Sequence, residues 1–164
     1  MVDTTQTADS DRLAAEDPVT EWVTFQLDNE KYCVNVMQVR EVLKYTEIAP
    51  VPGAPEFVLG IINLRGNVVT VIDTRKRFGL APTDQTDASR IVIIEARDQV
   101  IGMLVDSVAE VVDLRQSEIE IAPNVGDNQN ARYIHGVSKR GDELLILVDL
   151  GKLLSVGPWD DGQD

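Results

Sequence analysis

Large apolar and polar residues alternate from Trp22 to Leu27, and after Asp28-Asn29-Glu30 the alternation resumes over Lys31 to Val36. That pattern predicts a β-hairpin with one buried face. From Val36 to Leu43 the period changes. Val36, Val39 and Leu43 stand at i, i+3 and i+7, which predicts a short helical turn joining two strands. The stretch Ala49 to Pro55 carries Pro50, Pro52 and Pro55, which fix the backbone and remove donors, so a loop is expected there. Phe57 to Ile62 and Val68 to Ile72 read as strands about the turn Arg65-Gly66-Asn67. Thr74 to Leu80 reads as a short helix capped by Asp73 and ended at Gly79. A polar linker follows at residues 81–89. Beyond it, strands are expected near 90–96, 99–105, 133–139 and 143–148, with a last helix near 150–154. The polar, glycine-containing insert Pro123 to Ala131 reads as a mobile loop.

The second half repeats the first. Residues 22–43 lie over residues 91–112 at a constant offset of 69, and ten positions are apolar in both copies, among them Val23/Val92, Phe25/Ile94, Val36/Val105 and Val39/Val108. At this hydrophobic content about four coincidences are expected by chance, so an internal duplication is the better account. The match resumes at Phe57-Val58-Leu59-Gly60 and Tyr133-Ile134-His135-Gly136, each with an Asp thirteen residues past its Gly, at Asp73 and Asp149. Arg65-Gly66 recurs as Arg140-Gly141, and Glu41 falls on Glu110. Two similar modules predict a two-lobed body with a pseudo-twofold axis and a seam. Valine-rich alternation and tight turns predict an all-β fold with a few short helices, closed as small barrels so that strand edges are covered.

Charge narrows the choice of partners. The net charge is −13, but residues 1–21 hold six acids against Arg12 alone and residues 160–164 hold three more, so the terminal segments carry eight of those charges. Residues 1–20, which lack apolar periodicity, read as a disordered acidic arm, and 156–164 as an acidic tail. Nothing in this balance suits a phosphate-neutralising face, so nucleic acid and acidic membrane surfaces are excluded as partners. The excess acid fits either a salt-rich cytoplasm or an ordinary protein with two acidic tails. With no secretory signal pattern and no apolar run long enough to span a bilayer, the expected location is cytoplasmic.

Candidate chemistry is sparse. Cys33 is the sole cysteine and His135 the sole histidine, and each sits in a strand pattern that suits a packed side chain better than a nucleophile or base. No phosphate-binding, metalloprotease or nucleophile-elbow motif is present. The expectation is no catalytic residue, no metal and no cofactor. The seam remains: Val36, Val39, Val105 and Val108 stand at i, i+3 in each copy and could line a groove, although periodicity alone favours an inner core face. Each lobe could also hold a carboxylate and a guanidinium near its end.

The run Val51 to Gly66 (VPGAPEFVLGIINLRG), followed by apolar residues and Asp73, resembles the CheW family of chemotaxis coupling proteins, and the similarity extends over about residues 20–155. That resemblance implies two intertwined SH3-like five-stranded barrels around a hydrophobic seam, over residues 21–155. One lobe would lie mainly in 21–80 and the other in 90–150, with room for strand exchange. It implies a non-catalytic adaptor that couples the cytoplasmic tip of a chemoreceptor to the regulatory domain of the histidine kinase CheA. Carried over by motif, Glu41, Val42, Gly60, Leu64, Arg65 and Gly66 fall at the kinase face, and Val36, Val39, Val105 and Val108 in the receptor groove. The alternative is a generic SH3-like peptide-binding module outside chemotaxis.

Overall fold

The protein was analysed as a computed structural model, which describes residues 17–121 and 133–155. The insert 123–131, the tail 156–164 and most of the N-terminal arm lie outside the described residues. Eleven strands make up two sheets among the described residues. They are β1 (Val19–Leu27), β2 (Glu30–Asn35), β3 (Val39–Lys44), β4 (Val58–Leu64), β5 (Asn67–Asp73), β6 (Arg90–Ala96), β7 (Gln99–Val105), β8 (Ser107–Arg115), β9 (Glu120–Ile121), β10 (Ile134–Arg140) and β11 (Glu143–Val148). Two short helices, α1 (Thr74–Arg77) and α2 (Leu150–Ser155), follow β5 and β11. The all-β expectation is met, and the first strand begins at Val19, ahead of the alternation that starts at Trp22.

One segment was misread. Residues 36–43 are not a helical turn throughout. A single 3-10 turn at Val36–Gln38 gives way to strand β3, and in the second copy Asp106 merely bends the chain from β7 into β8, a strand the sequence reading missed. A separation of four, as between Val39 and Leu43, puts two residues on one face of a strand as well as of a helix, and the neighbouring β6 supplies the ladder that decides between them.

The two crossings exchange strands between the halves. The sheet orders are β8-β1-β2-β11-β10-β9 and β3-β6-β7-β5-β4. Each sheet therefore takes one hairpin from one half of the chain and its other strands from the other half, so the lobes are not sequential at the linker. The symmetry extends to detail. β3 bulges against β6 between Val39 and Glu41, and β8 against β1 at the equivalent step. Parallel pairs β2–β11 and β5–β7 complete the sheets.

Burial follows from the exchange. Trp22, Cys33, Val112, Leu114, Leu145 and Leu147 form a core belonging to the first sheet, and Ile62, Val69, Val71, Ile91 and Ile93 one belonging to the second. Between the sheets lies a larger common core containing Val23, Phe25, Tyr32, Val92, Ile94, Met103, Phe78 at the C-cap of α1, and Leu150 and Leu153 of α2. Alternate residues of β1 and β6 enter different cores, so these strands are buried on both faces, and the run Ile91-Val92-Ile93-Ile94 is wholly inaccessible. Such a strand loses the polar alternation that a half-exposed strand keeps. The two sheets, each with its own core and sharing a third, are consistent with two intertwined barrels.

The helices are capped as the sequence predicts. Asp73 accepts from the Lys76 N–H at 3.2 Å and Asp149 from the Lys152 N–H at 3.0 Å. Equivalent pinches precede them. Ala49 exchanges backbone hydrogen bonds with Ile61, and Ile121 pairs with Gly136. A methyl on Gly136 would fall 2.5 Å from the Glu120 carbonyl oxygen, and one on Gly60 closer still to that of Ala49. Because the obstructing atoms are backbone, Gly60→Ala is expected to destabilise the fold by about 2–4 kcal/mol, read as a lowered urea midpoint with an unchanged m-value. Gly66→Ala is the control, since its Cβ would meet open space and only the strain of φ +88° remains.

Candidate functional site

The β4–β5 hairpin ends in a two-residue turn, Arg65-Gly66, with φ of 52° and 88°. A turn with both central residues left-handed matches strand twist, and glycine takes that conformation freely while arginine does not. The Gly66 N–H donates to Asn63 Oδ1 at 2.8 Å, which fixes the loop. Arg65 is thereby held at the tip of the hairpin, and its guanidinium forms a bidentate ion pair with Glu41 on β3. The Arg65 side chain stays 70% exposed and that of Glu41 28%. So exposed a pair contributes little to stability. Left-handed non-glycine residues also stand at Asp28, Arg97 and Asp98, in other hairpin turns. Leu64, Arg40, Val68 and Val69 line the same depression as Glu41 and Arg65, and Val68 and Val42 present exposed apolar surface. Val68 and Arg40 escaped the sequence reading. Nothing in the alternation separates an exposed strand valine from a buried one.

Gly60 is a different case. It is buried beneath Ala49 and offers no surface, so its place in the predicted kinase face is corrected to a packing role. The second copy repeats the placement of the charged pair without its contact: Glu110 and Arg140 line one depression with Val111, and no ion pair joins them. The hairpin registers explain the slip, because Arg140 pairs with Glu143 as Leu64 does with Asn67, leaving Gly141 where Arg65 stands.

The four predicted groove valines all meet the common core. Val36, Val39 and Val108 pack at its margin, partly buried. Val105, at 2% exposure, lies inside it and presents nothing to a partner, a correction to its expected contact role. Its position closing β7 points it at the core between the sheets. Between Val36 and Val39 projects Met37, 87% exposed, its N–H capped by Asn35 Oδ1 at 2.9 Å. Sequence reasoning passed over it, although a methionine where the other copy has Asp106 was the available signal.

Asp106 makes the densest polar cluster near the groove. Arg75, on α1, donates to it in bidentate fashion, Nε to Oδ1 at 2.9 Å and a terminal nitrogen to Oδ2 at 2.7 Å. Asp106 Oδ2 also accepts from the Asp28 N–H at 2.9 Å, and the Asp106 N–H donates to the Gln26 carbonyl at 3.1 Å. Arg75 reaches the Ala81 carbonyl at 2.7 Å and Asp28 Oδ1 at 3.5 Å. The Arg75 and Asp106 side chains are 12% and 25% exposed. The Arg75 hydrogen bonds, opposed by partial burial, hold the Asp106 carboxyl below its usual range.

Neither titratable candidate for catalysis is armed. Cys33 is fully buried, and burial pushes its thiol up to about 12, so no thiolate forms at neutral pH. His135 stacks on Trp22 with ring centroids 6.3 Å apart. Among the described residues no cluster of His, Cys, Asp or Glu could hold a metal ion, and no helix is long and apolar enough to cross a membrane.

A two-sheet body with an exposed charged tip and an apolar seam is the build of a protein-binding scaffold. Residues 21–157 match the CheW-like domain model, and the chain belongs to the CheW family, whose members are non-catalytic chemotaxis scaffolds. It is 35% identical over 147 residues to the chemotaxis protein CheW of Treponema pallidum, covering 87% of this chain and 86% of that one. It is 36% identical over 132 residues to that of Bacillus subtilis, covering 80% and 85%. The crystal structure of the scaffolding protein TtCheW from Thermoanaerobacter tengcongensis superposes with a TM-score of 0.79 at 36% identity, covering 85% of this chain and 95% of that one.

Two predictions follow from the buried groups. The Cys33 thiol is expected to resist a disulfide reagent at pH 7.5 in the native protein and to react within seconds in denaturant, as read by thiol absorbance. Asp106, its folded pKa below the unfolded value of about 3.9, adds stability that is present above that value and lost as pH falls through the folded pKa. Urea midpoints between pH 7 and pH 2.5 should therefore fall more steeply for wild type than for Asp106→Asn. At pH 7 that variant should be less stable by about 1.5–3 kcal/mol, the value of a hydrogen bond to a charged group.

Proposed function

We propose that this protein couples the cytoplasmic tips of chemoreceptors to the regulatory domain of a CheA histidine kinase, and that it works in membrane-associated receptor arrays. The observation that carries the reading is the Arg65–Glu41 pair at the β4–β5 tip. An arginine pre-oriented by a carboxylate and set beside Leu64 and Val68 has the composition of an interface centre: Arg with apolar neighbours and no lysine. Gly66 sets the turn that offers it. This face takes the kinase domain. The apolar margin at Val36, Val39 and Val108, with Val105 behind it as support, takes the receptor tip.

Two sites on one body couple their ligands in either of two ways: by favouring the same state of the scaffold, or by holding both at one geometry. The names of the relatives support the setting, since the Treponema and Bacillus proteins are chemotaxis proteins CheW.

Calorimetric titration with a CheA regulatory domain tests the reading. Wild type should bind saturably, and Arg65→Ala should weaken binding at least about tenfold with little change in thermal midpoint, because an exposed pair adds little to the fold. No saturable binding across low and high salt would sink the proposal and favour a general peptide-binding module.

A further inference from the structure

The duplication leaves two crossings between the sheets, Asn35 to Val39 and Val105 to Val108, and they are built unequally. At the second, Asp106 is tied by its side chain to Arg75 and to the Asp28 N–H, and by its own N–H to Gln26. These ties join three places: α1, which follows the second sheet; the β1–β2 turn of the first sheet; and the crossing itself. Among the described residues the first crossing has no such anchor. The residues equivalent to Asp28, Asp106 and Arg75 are Arg97, Met37 and Gly151, at offsets of 69, 69 and 76. Its own cap, Asn35 to Met37, stays within the segment. A cluster absent from the equivalent crossing of a duplicated body is not needed to make the fold as such.

We infer that Arg75 and Asp106 are positioning residues: they form a clasp that fixes the setting of the two sheets across the valine seam and ties the β4–β5 hairpin to the groove. Strand β5 starts at the Arg65-Gly66 tip and ends, after Asp73, in the helix that carries Arg75. It is seven residues long, a rod of about 23 Å with both ends in contact with a proposed site. Asp106 stands between Val105 and Val108, so its displacement moves the second wall of the groove. The partly buried, bidentate geometry resists salt better than the exposed Arg65–Glu41 pair. The clasp itself needs no partner. Its effect on the groove rests on the function proposed above.

Both halves can be tested on the whole chain. Nitroxides placed at Val68→Cys on β5 and Leu144→Cys on β11 label equivalent exposed positions of the two sheets, while buried Cys33 stays unlabelled. Pulsed dipolar spectroscopy should give one narrow distance distribution. Arg75→Met should broaden or shift it, and Arg75→Lys, which keeps the charge without the fork, should give an intermediate result. Asp106→Asn is isosteric and still accepts from Asp28, so it carries the comparison should Arg75→Met fail to fold. In unlabelled protein, the same variants should bind a receptor-tip fragment about tenfold more weakly and keep kinase-domain affinity within about twofold, a coupling of ordinary size. An unchanged distance distribution in the clasp variants overturns the inference. So does a changed distribution with undiminished receptor-tip affinity, or with both affinities falling together. Wild type that binds no receptor tip defeats the groove reading instead, and the distance measurement then decides the clasp alone.

Discussion

The structure depends on two strands that are buried on both faces. β1 and β6 each send alternate side chains into a core of their own sheet and into the core shared between sheets. Neither strand could be placed so in a sheet built from consecutive strands of one half. The central core requires both, and the strand exchange supplies the neighbours, β8 for β1 and β3 for β6. Cooperativity follows, because neither sheet is complete without strands from both halves of the chain. A body made this way can present two separate surfaces in a fixed relation.

Within that symmetric frame, the polar contacts are asymmetric. The ion pair at the tip exists in one copy only, because a one-position slip replaces Arg65 by Gly141 in the second hairpin turn. Polar anchoring of a crossing exists in the other copy only. The duplication fixes where surfaces lie, and departures from it fix what each surface offers. The aromatic residues near the axis show the conserved part: Phe57 and Tyr133, equivalent positions, flank the Arg77 guanidinium from 4.4 and 5.0 Å.

Much of this was legible in the sequence. The hairpins, both aspartate caps and the repeat itself announce themselves through period-two alternation, turn residues and a constant offset. The swap was not legible, since alternation says that a strand has a partner without naming it. β3 and β8 were lost for a related reason: the separation of four from Val39 to Leu43, and from Val108 to Val112, suits both periods, and only the ladder chooses. The CheW resemblance, not the spacing, put Val105 in the groove, yet a straight β7 carries it into the core whereas the 3-10 turn leaves Val36 at the margin. The Arg75–Asp106 contact joins residues thirty-one apart with no local signature. Its trace is a set of charge changes between copies, at Asp28/Arg97 and Asp106/Met37, which a comparison of like positions ignores.

The glycine pinches have a consequence for how such a chain can diverge. In the first copy Gly60 stands eleven positions after Ala49, the residue it presses on, and in the second Gly136 stands sixteen after Glu120. Both return to the same register, with the same bulge at the glycine and an aspartate thirteen residues on. Backbone pressed on backbone at a fixed point acts as a register stop, so residues gained or lost ahead of it do not shift the strand that follows. The intervening loops are thus free to change length and composition between lineages, and new recognition surface can be grown there while the paired hairpins stay in step.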